Sequence, residues 1–280
     1  MPEVDAGTRR RAEYATDASN YRVVPAVVAL PRHSDEVAAA VAVARSTGVP
    51  VTCRGGGTST AGNAVGTGIV LDFSRHLDRV LSVDPEARTA TVQPGAILDR
   101  ISAAAAPYGL RYGPDPSTHA RATIGGSLGN NACGARALRY GRTADNVVSI
   151  DALTADGERL DARRLGRAGL RAAGAKGRVL EDTVSEHLAV IRAEFGRFGR
   201  QVSGYSLEHP LPENGADLAK FLVGSGAVPD LPRGEGWLFV ETPGDTAAEG
   251  SVAAARRTSR RGRAGRTPRS RERWRVPVRR

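Results

Sequence analysis

Apolar residues fall in short runs along the first half of the chain, and polar or glycine-rich segments separate these runs. Val27–Leu30 is a run of four apolar residues between two prolines, which predicts a short buried strand. Ser34 follows as a predicted helix N-cap, and apolar residues recur at helical spacing until Gly48, where the helix should end. Residues 49–53 are a second apolar run that leads directly into a glycine-rich loop. The pattern therefore predicts a strand, a helix and a strand in succession.

The rest of the chain continues this mixture of strands and helices. Short apolar or alternating runs predict strands at residues 69–72, 80–83, 89–92, 147–150 and 152–154. Apolar residues at helical spacing predict helices at residues 97–105 and 180–198. Residues 107–145 are crowded with glycine, proline, asparagine and other small residues, which is typical of functional loops rather than of a core.

The two ends of the chain depart from this pattern. Residues 1–22 are polar, and we expect an exposed lead-in. Residues 251–280 mix arginine with Ser, Thr, Gly and Pro and have almost no apolar periodicity, so we expect a disordered basic tail. This tail holds twelve arginines and one acid, so its charge of +11 against +10 for the whole 280-residue chain leaves −1 for residues 1–250. The high net charge therefore says nothing about a ligand of the main body.

Composition also bears on location and on metals. No apolar run is long enough to span a bilayer, and the N-terminus resembles no secretory signal, so we expect a cytoplasmic protein. The five histidines lack HxxH or HExxH spacing. Cys53 and Cys133, which we expect to be buried free thiols, cannot supply the four ligands of an iron–sulfur cluster. We therefore expect no metal bound by this chain alone.

Three small-residue tracts carry the candidate chemistry. The first, residues 54–59, follows a predicted strand, and its consecutive glycines allow backbone amides to converge on a phosphate, with a flexible turn as the alternative. The second is residues 123–134, and the third, residues 113–117, has two prolines that fix the backbone. Tyr140 and Gly141 follow. Three such tracts favour a long ligand with several phosphates and rings.

Other readings of these motifs are weaker. The chain has no GxGxxG between a strand and a helix, and neither lysine lies in a GxxxxGK[ST] loop. Residues 125–129 fit the GxSxG pattern of serine hydrolases, but no buried apolar strand precedes Ser127. Arginines of the tail could bind nucleic acid through its phosphates, although a passive tail is the favoured interpretation.

Taken together, these tracts resemble the FAD-binding domain of the p-cresol methylhydroxylase (PCMH) and vanillyl-alcohol oxidase type. The resemblance covers about residues 20–225 and is strongest to D-lactate dehydrogenase and the glycolate oxidase FAD subunit. Residues 200–209 resemble bacterial proteins that fuse this flavin unit to an iron–sulfur unit. The resemblance implies an α+β fold of two α/β subdomains that hold FAD. It assigns to the cofactor Arg54, Gly55, Gly56, Gly57, Thr58, Ser59, Asn63, Pro114, Asp115, Ser117, Thr123, Gly125, Gly126, Gly129, Asn130, Gly134 and Tyr140.

The same resemblance implies a reaction and its partners. Family members with covalent FAD have a histidine where this chain has Thr58, so non-covalent FAD is expected. The implied reaction is oxidation of a small 2-hydroxy acid, D-lactate or glycolate, with hydride transfer to FAD and onward transfer to an electron-acceptor protein or iron–sulfur partner. Domain boundaries are expected at 23–225 for the FAD domain and at 226–250 for a remnant of the substrate-binding cap. No catalytic residue is assigned, and an inactive FAD-binding remnant is the alternative.

Overall fold

A computed structural model describes residues 2–196, residues 204–227 and the strand at 274–279. Within these residues, the strands form a four-stranded sheet and a six-stranded sheet. Helices cover both sheets, and each sheet contributes to its own cluster of buried apolar residues. This mixture of helices and strands confirms the expected α+β fold.

The first sheet lies in the N-terminal part of the chain. Its strands are β1 (Glu3–Asp5), β2 (Val27–Leu30), β3 (Val51–Arg54) and β4 (Ile69–Asp72), in the order β1-β2-β4-β3. β4 is central, pairs in parallel with β2 and β3, and has all four residues buried. Helix α2 (Ser34–Thr47) packs its buried apolar residues against this sheet.

The second sheet is antiparallel throughout and has the order β5-β6-β10-β8-β9. A short strand, β7, pairs with the far end of β10. The bounds are β5 Val80–Asp84, β6 Thr89–Val92, β7 Arg111–Tyr112, β8 Ser149–Leu153, β9 Arg159–Arg163 and β10 Trp274–Arg279.

Several of the remaining helices contribute buried residues to the larger apolar core. The remaining helices are α1 Thr8–Glu13, α3 Leu98–Ala105, α4 Ile124–Gly129, α5 Ala137–Tyr140, α6 Gly174–Glu186, α7 Leu188–Glu194 and α8 Leu218–Leu222. Ile101 of α3 and Ile124 of α4 are fully buried in this core, beside Val92 of β6 and Val223. The core therefore fixes α4, which begins next to the glycine-rich loops.

Most predicted elements are present, with local differences. The strand at 27–30 is confirmed, as is the helix end at Gly48, whose φ is +69°. The N-cap of α2 is His33 rather than Ser34, because Ser34 already has helical geometry. The predicted helix 180–198 is two helices, α6 and α7, separated at His187, and its last two residues lie outside the described part of the chain.

The N-terminal segment is more than an exposed lead-in. Strand β1 extends the first sheet by pairing antiparallel with β2, and Ala15 is completely buried. The polar composition of residues 1–22 does indicate the exposed face of α1, which has no buried residue. The sequence alone could not show that the edge of β2 is available for one more strand.

The C-terminal tail also differs from the expectation in one segment. Most of residues 251–280 lie outside the described residues, as do residues 228–250 of the expected cap remnant. At 274–279, however, the structure has strand β10, which lies between β6 and β8. Trp274, Val276 and Val278 alternate with polar residues or proline, and this period of two fits a strand. For these six residues the structure replaces expected disorder with sheet pairing.

Candidate functional site

The loop after β3 presents a row of backbone donors. Gly57 has a φ of +64°, in the left-handed region that favours glycine. Residues 55–59 are half-buried, and none of their five amides donates a hydrogen bond to an acceptor among the described residues. Backbone amides removed from water are normally paired. A row of unpaired donors such as this one is suited to a phosphate or another anion.

The far end of this loop is closed by two predicted site residues. The Ser59 hydroxyl donates to Asn63 Oδ1 at 2.7 Å and accepts from the amides of Ala61 and Asn63. Asn63 Nδ2 in turn donates to the carbonyl of Gly226 at 2.8 Å. Ser59 and Asn63 therefore shape the loop, while Thr58, the residue before Ser59, is half-buried.

Arg54 lies at the other end of the loop. Its guanidinium donates to the carbonyls of Thr16 and Ala64, each at 2.9 Å. These contacts direct the guanidinium to the base of the loop and to the N-terminal segment.

The first and second tracts are in direct contact. A Cβ added to Gly55 would lie 2.0 Å from Thr123 Oγ1, and one added to Gly56 would lie 2.2 Å from the carbonyl oxygen of Arg121. Both distances are far below van der Waals contact, so only glycine permits this approach. The structure thus brings together two tracts that are more than sixty residues apart in sequence.

Helix α4 organises the second tract. Thr123 is its N-cap, and Thr123 Oγ1 accepts from the amide of Gly126 at 3.2 Å. The amide of Gly125 donates to the carbonyl of Pro94 at 2.8 Å. Asn130 Nδ2 donates to the carbonyl of Gly126 at 3.0 Å. With Gly129, five of the predicted residues therefore lie in α4 or at its caps.

The end of α4 meets a segment that is not among the predicted site residues. The amide of Gly224 donates to the carbonyl of Leu128 at 2.8 Å, and Gly226 approaches Gly129 closely. Because the carbonyl of Gly226 also accepts from Asn63, residues 224–226 connect the glycine loop, which comprises residues 55–63, to α4. A contact of this kind between distant small residues leaves no periodic signal in the sequence.

The third tract packs on the residues that follow α4. A Cβ added to Gly134 would lie 1.7 Å from the carbonyl oxygen of Asp115. Asp115 Oδ2 lies 3.0 Å from Arg136 Nε and 3.7 Å from Arg111 Nη2, so its charge is neutralised by two arginines that sequence reasoning missed. Pro114 is buried and Ser117 is exposed. These contacts place the third tract against the end of the second.

Two adjoining cavities lie along this third tract. Their volumes are about 230 and 380 Å³, and Asp115 and His119 line both of them. The larger cavity is also lined by Ser117 and Gly134, whereas the loop at 55–59 borders neither cavity. The predicted residues therefore occupy two regions, one at the loop 55–59 and the start of α4 and the other along the third tract.

Tyr140 lies beside the third tract. A Cβ added to Gly113 would lie 3.0 Å from the Cβ of Tyr140. The side-chain amide of the fully buried Asn146 donates to the carbonyls of Tyr140 and Arg142, at 2.6 and 2.9 Å. Asn146 thus fixes the backbone of Tyr140, a role that its sequence context did not indicate.

The structure gives no support to a serine-hydrolase site. Ser127 lies inside α4, is 3% exposed, and its hydroxyl has no hydrogen-bond partner among the described residues. A nucleophile elbow requires an exposed serine at a turn between a strand and a helix. The GxSxG match is therefore a consequence of the high glycine content of this tract.

Three other expectations can be compared with the described part of the chain. Both cysteines are free thiols, as expected, but Cys133 is half-buried and the residue Cys53 is exposed, although desolvation around its thiol raises the pKa of Cys53 to about 11. Among the described residues, no group of three or more His, Cys, Asp or Glu side chains could hold a metal ion. Over the same residues, no helix is both long and apolar enough to cross a membrane.

Comparison with known proteins gives a family match and several relatives. Residues 25–163 match the family model described as FAD binding domain. The chain is 34% identical over 226 residues to D-2-hydroxyglutarate dehydrogenase of Pseudomonas putida, covering 76% of this chain and 22% of that protein. It is 41% identical over 144 residues to glycolate oxidase subunit GlcD of Escherichia coli, covering 51% of this chain and 29% of that protein. The chain thus spans between a fifth and a third of the length of these relatives.

A solved structure shows the same fold. Alkyldihydroxyacetonephosphate synthase aligns with a TM-score of 0.52 and 24% sequence identity, over 57% of this chain and 33% of that one.

Proposed function

We propose that this chain, whose residues 25–163 match the family model described as FAD binding domain, holds FAD across its three small-residue tracts as part of an oxidoreductase for a small 2-hydroxy acid. The observation that carries the proposal is the row of five unpaired amides at 55–59 packed against Thr123 at the start of α4. These amides would hold the pyrophosphate. The residues along the third tract would contact the rest of the cofactor.

The donor set fits a dinucleotide better than a mononucleotide. The unpaired amides of 55–59 adjoin the start of α4, whereas the cavities along the third tract are lined by residues such as Ser117 and Gly134 and not by that loop. A ligand that uses both regions must be long, with a phosphate group at one end of the contact and rings at the other. This extended arrangement supports FAD rather than a single phosphate.

We further propose that the cofactor is bound without a covalent link. Thr58 occupies the position at which covalent members of the family have a histidine, and a threonine hydroxyl offers no comparable nucleophile for the flavin ring. The loop residues would therefore act only by hydrogen bonding and by excluding water.

The names of the relatives support the proposed substrate class. Those reported above are named for D-2-hydroxyglutarate and for glycolate, which are both 2-hydroxy acids. D-Lactate has the same reacting group. Oxidation removes a hydride from the carbon and a proton from the hydroxyl to give a 2-oxo acid, and bound FAD supplies the two-electron acceptor. Because one relative is named as a subunit, an electron-accepting protein partner is part of the proposal.

The first test is the visible absorption spectrum of the purified chain before and after acid precipitation. Flavin bands that move to the supernatant support non-covalent FAD, and bands that remain in the pellet contradict the non-covalent proposal. If the protein is colourless, FAD is titrated into it and the change in flavin fluorescence is followed. A chain that takes up no FAD under either condition refutes the proposed function.

The second test concerns turnover. D-2-Hydroxyglutarate, glycolate and D-lactate are each supplied with an artificial dye as electron acceptor, and dye reduction is measured. Substrate-dependent reduction supports the 2-hydroxy acid proposal. FAD binding without any reduction favours the alternative, in which this chain binds FAD but does not form the substrate site by itself.

A further inference from the structure

The two ends of the glycine loop are tied together by one side chain. Arg54 Nη1 donates to the carbonyl of Ala64 at 2.9 Å, which closes the loop between these two residues. Arg54 Nη2 donates to the carbonyl of Thr16, also at 2.9 Å, and this contact connects the loop to the N-terminal segment. A Cβ added to Gly57 would lie 2.6 Å from Nη2, so the guanidinium lies directly beneath the loop.

A second layer holds the guanidinium in place. The Tyr14 ring lies 5.1 Å from Arg54 Cζ, within range of a cation–π interaction. The Tyr14 hydroxyl donates to Asp72 Oδ2 at 2.5 Å, and Asp72 Oδ1 accepts from both the amide and the hydroxyl of Ser74. Burial, and then the bond to Asp72, raise the pKa of Tyr14, so the phenol remains a neutral donor. The ring is therefore fixed from the end of β4.

The N-terminal segment makes two more contacts with the loop. Asp17 Oδ2 accepts from the amide of Ala64 at 3.3 Å, so both polar backbone groups of Ala64 are bound from outside the loop. Tyr21 packs against Gly62, where an added Cβ would lie 2.7 Å from the ring. The amide of Val23 donates to the carbonyl of the fully buried Ala15 at 2.8 Å, which holds this segment against the body.

We propose that Tyr14, Thr16, Asp17 and Arg54 form a clamp that sets the conformation of the glycine loop and thereby the affinity for FAD. The proposal rests on the proposed function for the role of the loop. It makes Arg54 a positioning residue and not a phosphate ligand, which revises the role that the resemblance assigned to it. Three of the four clamp residues precede residues 25–163, so the family-matched segment alone lacks most of the clamp.

The physical reason is preorganisation. A glycine-rich loop has many accessible conformations, and ordering it on binding would reduce the affinity. The clamp fixes Arg54 and Ala64, the residues on either side of this loop, before the ligand arrives. The amides of 55–59 are then already arranged to donate when FAD binds.

The test compares two substitutions of Arg54. Lysine keeps the positive charge but lacks the planar fork that reaches two carbonyls, whereas methionine keeps neither. If Arg54 positions the loop, Arg54→Lys and Arg54→Met weaken FAD binding to a similar extent, by about tenfold or more, and the salt dependence of binding stays as in the wild type. If Arg54 instead binds phosphate through its charge, lysine keeps most of the affinity and methionine reduces the salt dependence. That outcome would overturn the proposal.

A second measurement is made without FAD. Amide hydrogen exchange of Ala61, Asn63 and Ala64, whose amides are hydrogen-bonded, should become faster in Arg54→Lys and in Tyr14→Phe, while exchange in β2 and β4 stays unchanged. Tyr108→Phe is the matched control, because Tyr108 is exposed and belongs to the short helical turn that follows α3. Unchanged exchange of the loop in both variants would refute the clamp.

The two measurements separate this proposal from the proposed function. A wild-type chain that binds no FAD refutes the function, while hydrogen exchange still decides whether the loop is clamped. A wild-type chain that binds FAD, together with Arg54 and Tyr14 variants that bind it equally well, refutes the clamp and leaves the function intact. Circular dichroism melting of each variant shows whether the fold is retained, and a variant that melts below the assay temperature is replaced by Asp17→Asn.

Discussion

The contact between Gly56 and Arg121 provides the sharpest test of the site. In Gly56→Ala the new Cβ would lie 2.2 Å from the carbonyl oxygen of Arg121, whereas a relaxed carbon–oxygen contact is about 3.3 Å or longer. The loop must therefore move by roughly 1 Å away from the segment that precedes α4. The atom that is struck belongs to the backbone, so no side-chain rotation can relieve the contact.

The magnitude follows from this displacement. Overpacking of this kind costs about 1–3 kcal/mol of folding free energy. A shift of roughly 1 Å also moves the amides of 55–59 away from the position at which they would meet the pyrophosphate, and losing one such charge-assisted bond costs about 1.5–3 kcal/mol. We therefore expect the dissociation constant for FAD to rise about tenfold to a hundredfold.

Gly48→Ala is the matched control. Gly48 has a φ of +69° at the end of α2 and no atom within 4 Å of an added Cβ. Alanine there costs about 1–2 kcal/mol through backbone strain alone. Both variants should therefore melt at a lower temperature, but only Gly56→Ala should weaken FAD binding.

The assay is a fluorescence titration of FAD into the apoprotein, combined with thermal melting followed by circular dichroism. If Gly56→Ala binds FAD as tightly as the wild type, the loop does not contact the cofactor and the reasoning fails. Equal loss of affinity in Gly48→Ala would show that general destabilisation, rather than loop geometry, controls binding.

Three further predictions concern stability. Burial alone would raise the pKa of Asp156, but hydrogen bonds led by the one from Lys176 lower it to about 2 from its ordinary 3.8. This carboxylate therefore stabilises the fold above about pH 4 and loses that effect as the pH falls towards 2. In urea unfolding, Lys176→Met should be less stable than the wild type at pH 6 but not near pH 2, and a difference that is the same at both pH values would contradict the pairing. Deleting residues 274–280 should expose the edges of β6 and β8 and speed their amide exchange, since β10 lies between them, and unchanged exchange would refute that pairing. Ile101→Ala, at a fully buried position, should lower the free energy of unfolding by about 2–5 kcal/mol, as measured by denaturant unfolding. Val43→Ala on the exposed face of α2 should lower it by less than about 1 kcal/mol, and similar losses in the two variants would contradict the burial of Ile101.

Much of the local structure could be predicted from the order of residues. Buried strands such as Val27–Leu30 and Ile69–Asp72 are apolar runs bounded by proline, glycine or polar residues, and this pattern is encoded locally. The end of α2 at Gly48 is equally local, because only glycine adopts its left-handed conformation at little cost. The three small-residue tracts are also evident from composition alone, because glycine and other small residues are the ones that let a backbone approach another group closely.

The position of each helix end depended on geometry that the sequence pattern does not resolve. Ser34 has the side chain of a good N-cap, yet the structure uses His33, and the amide of Arg32 is bound by Glu36 instead. Alternative local hydrogen bonds of similar strength decide such positions, and composition cannot rank them.

Residue order thus specifies which elements form and which tracts are rich enough in glycine to approach a ligand. What those tracts approach depends on how the elements pack against one another. The contact of Gly56 with Arg121, the ion pair of Asp115 with Arg136, and the binding of Arg54 by the carbonyl of Thr16 all join residues at least twenty positions apart. Such contacts depend on how separate elements pack, and packing leaves no periodic signal along the chain. For the same reason the polar composition of residues 1–22 predicts only an exposed segment, although β1 pairs with the first sheet and Tyr14 binds Asp72 of β4.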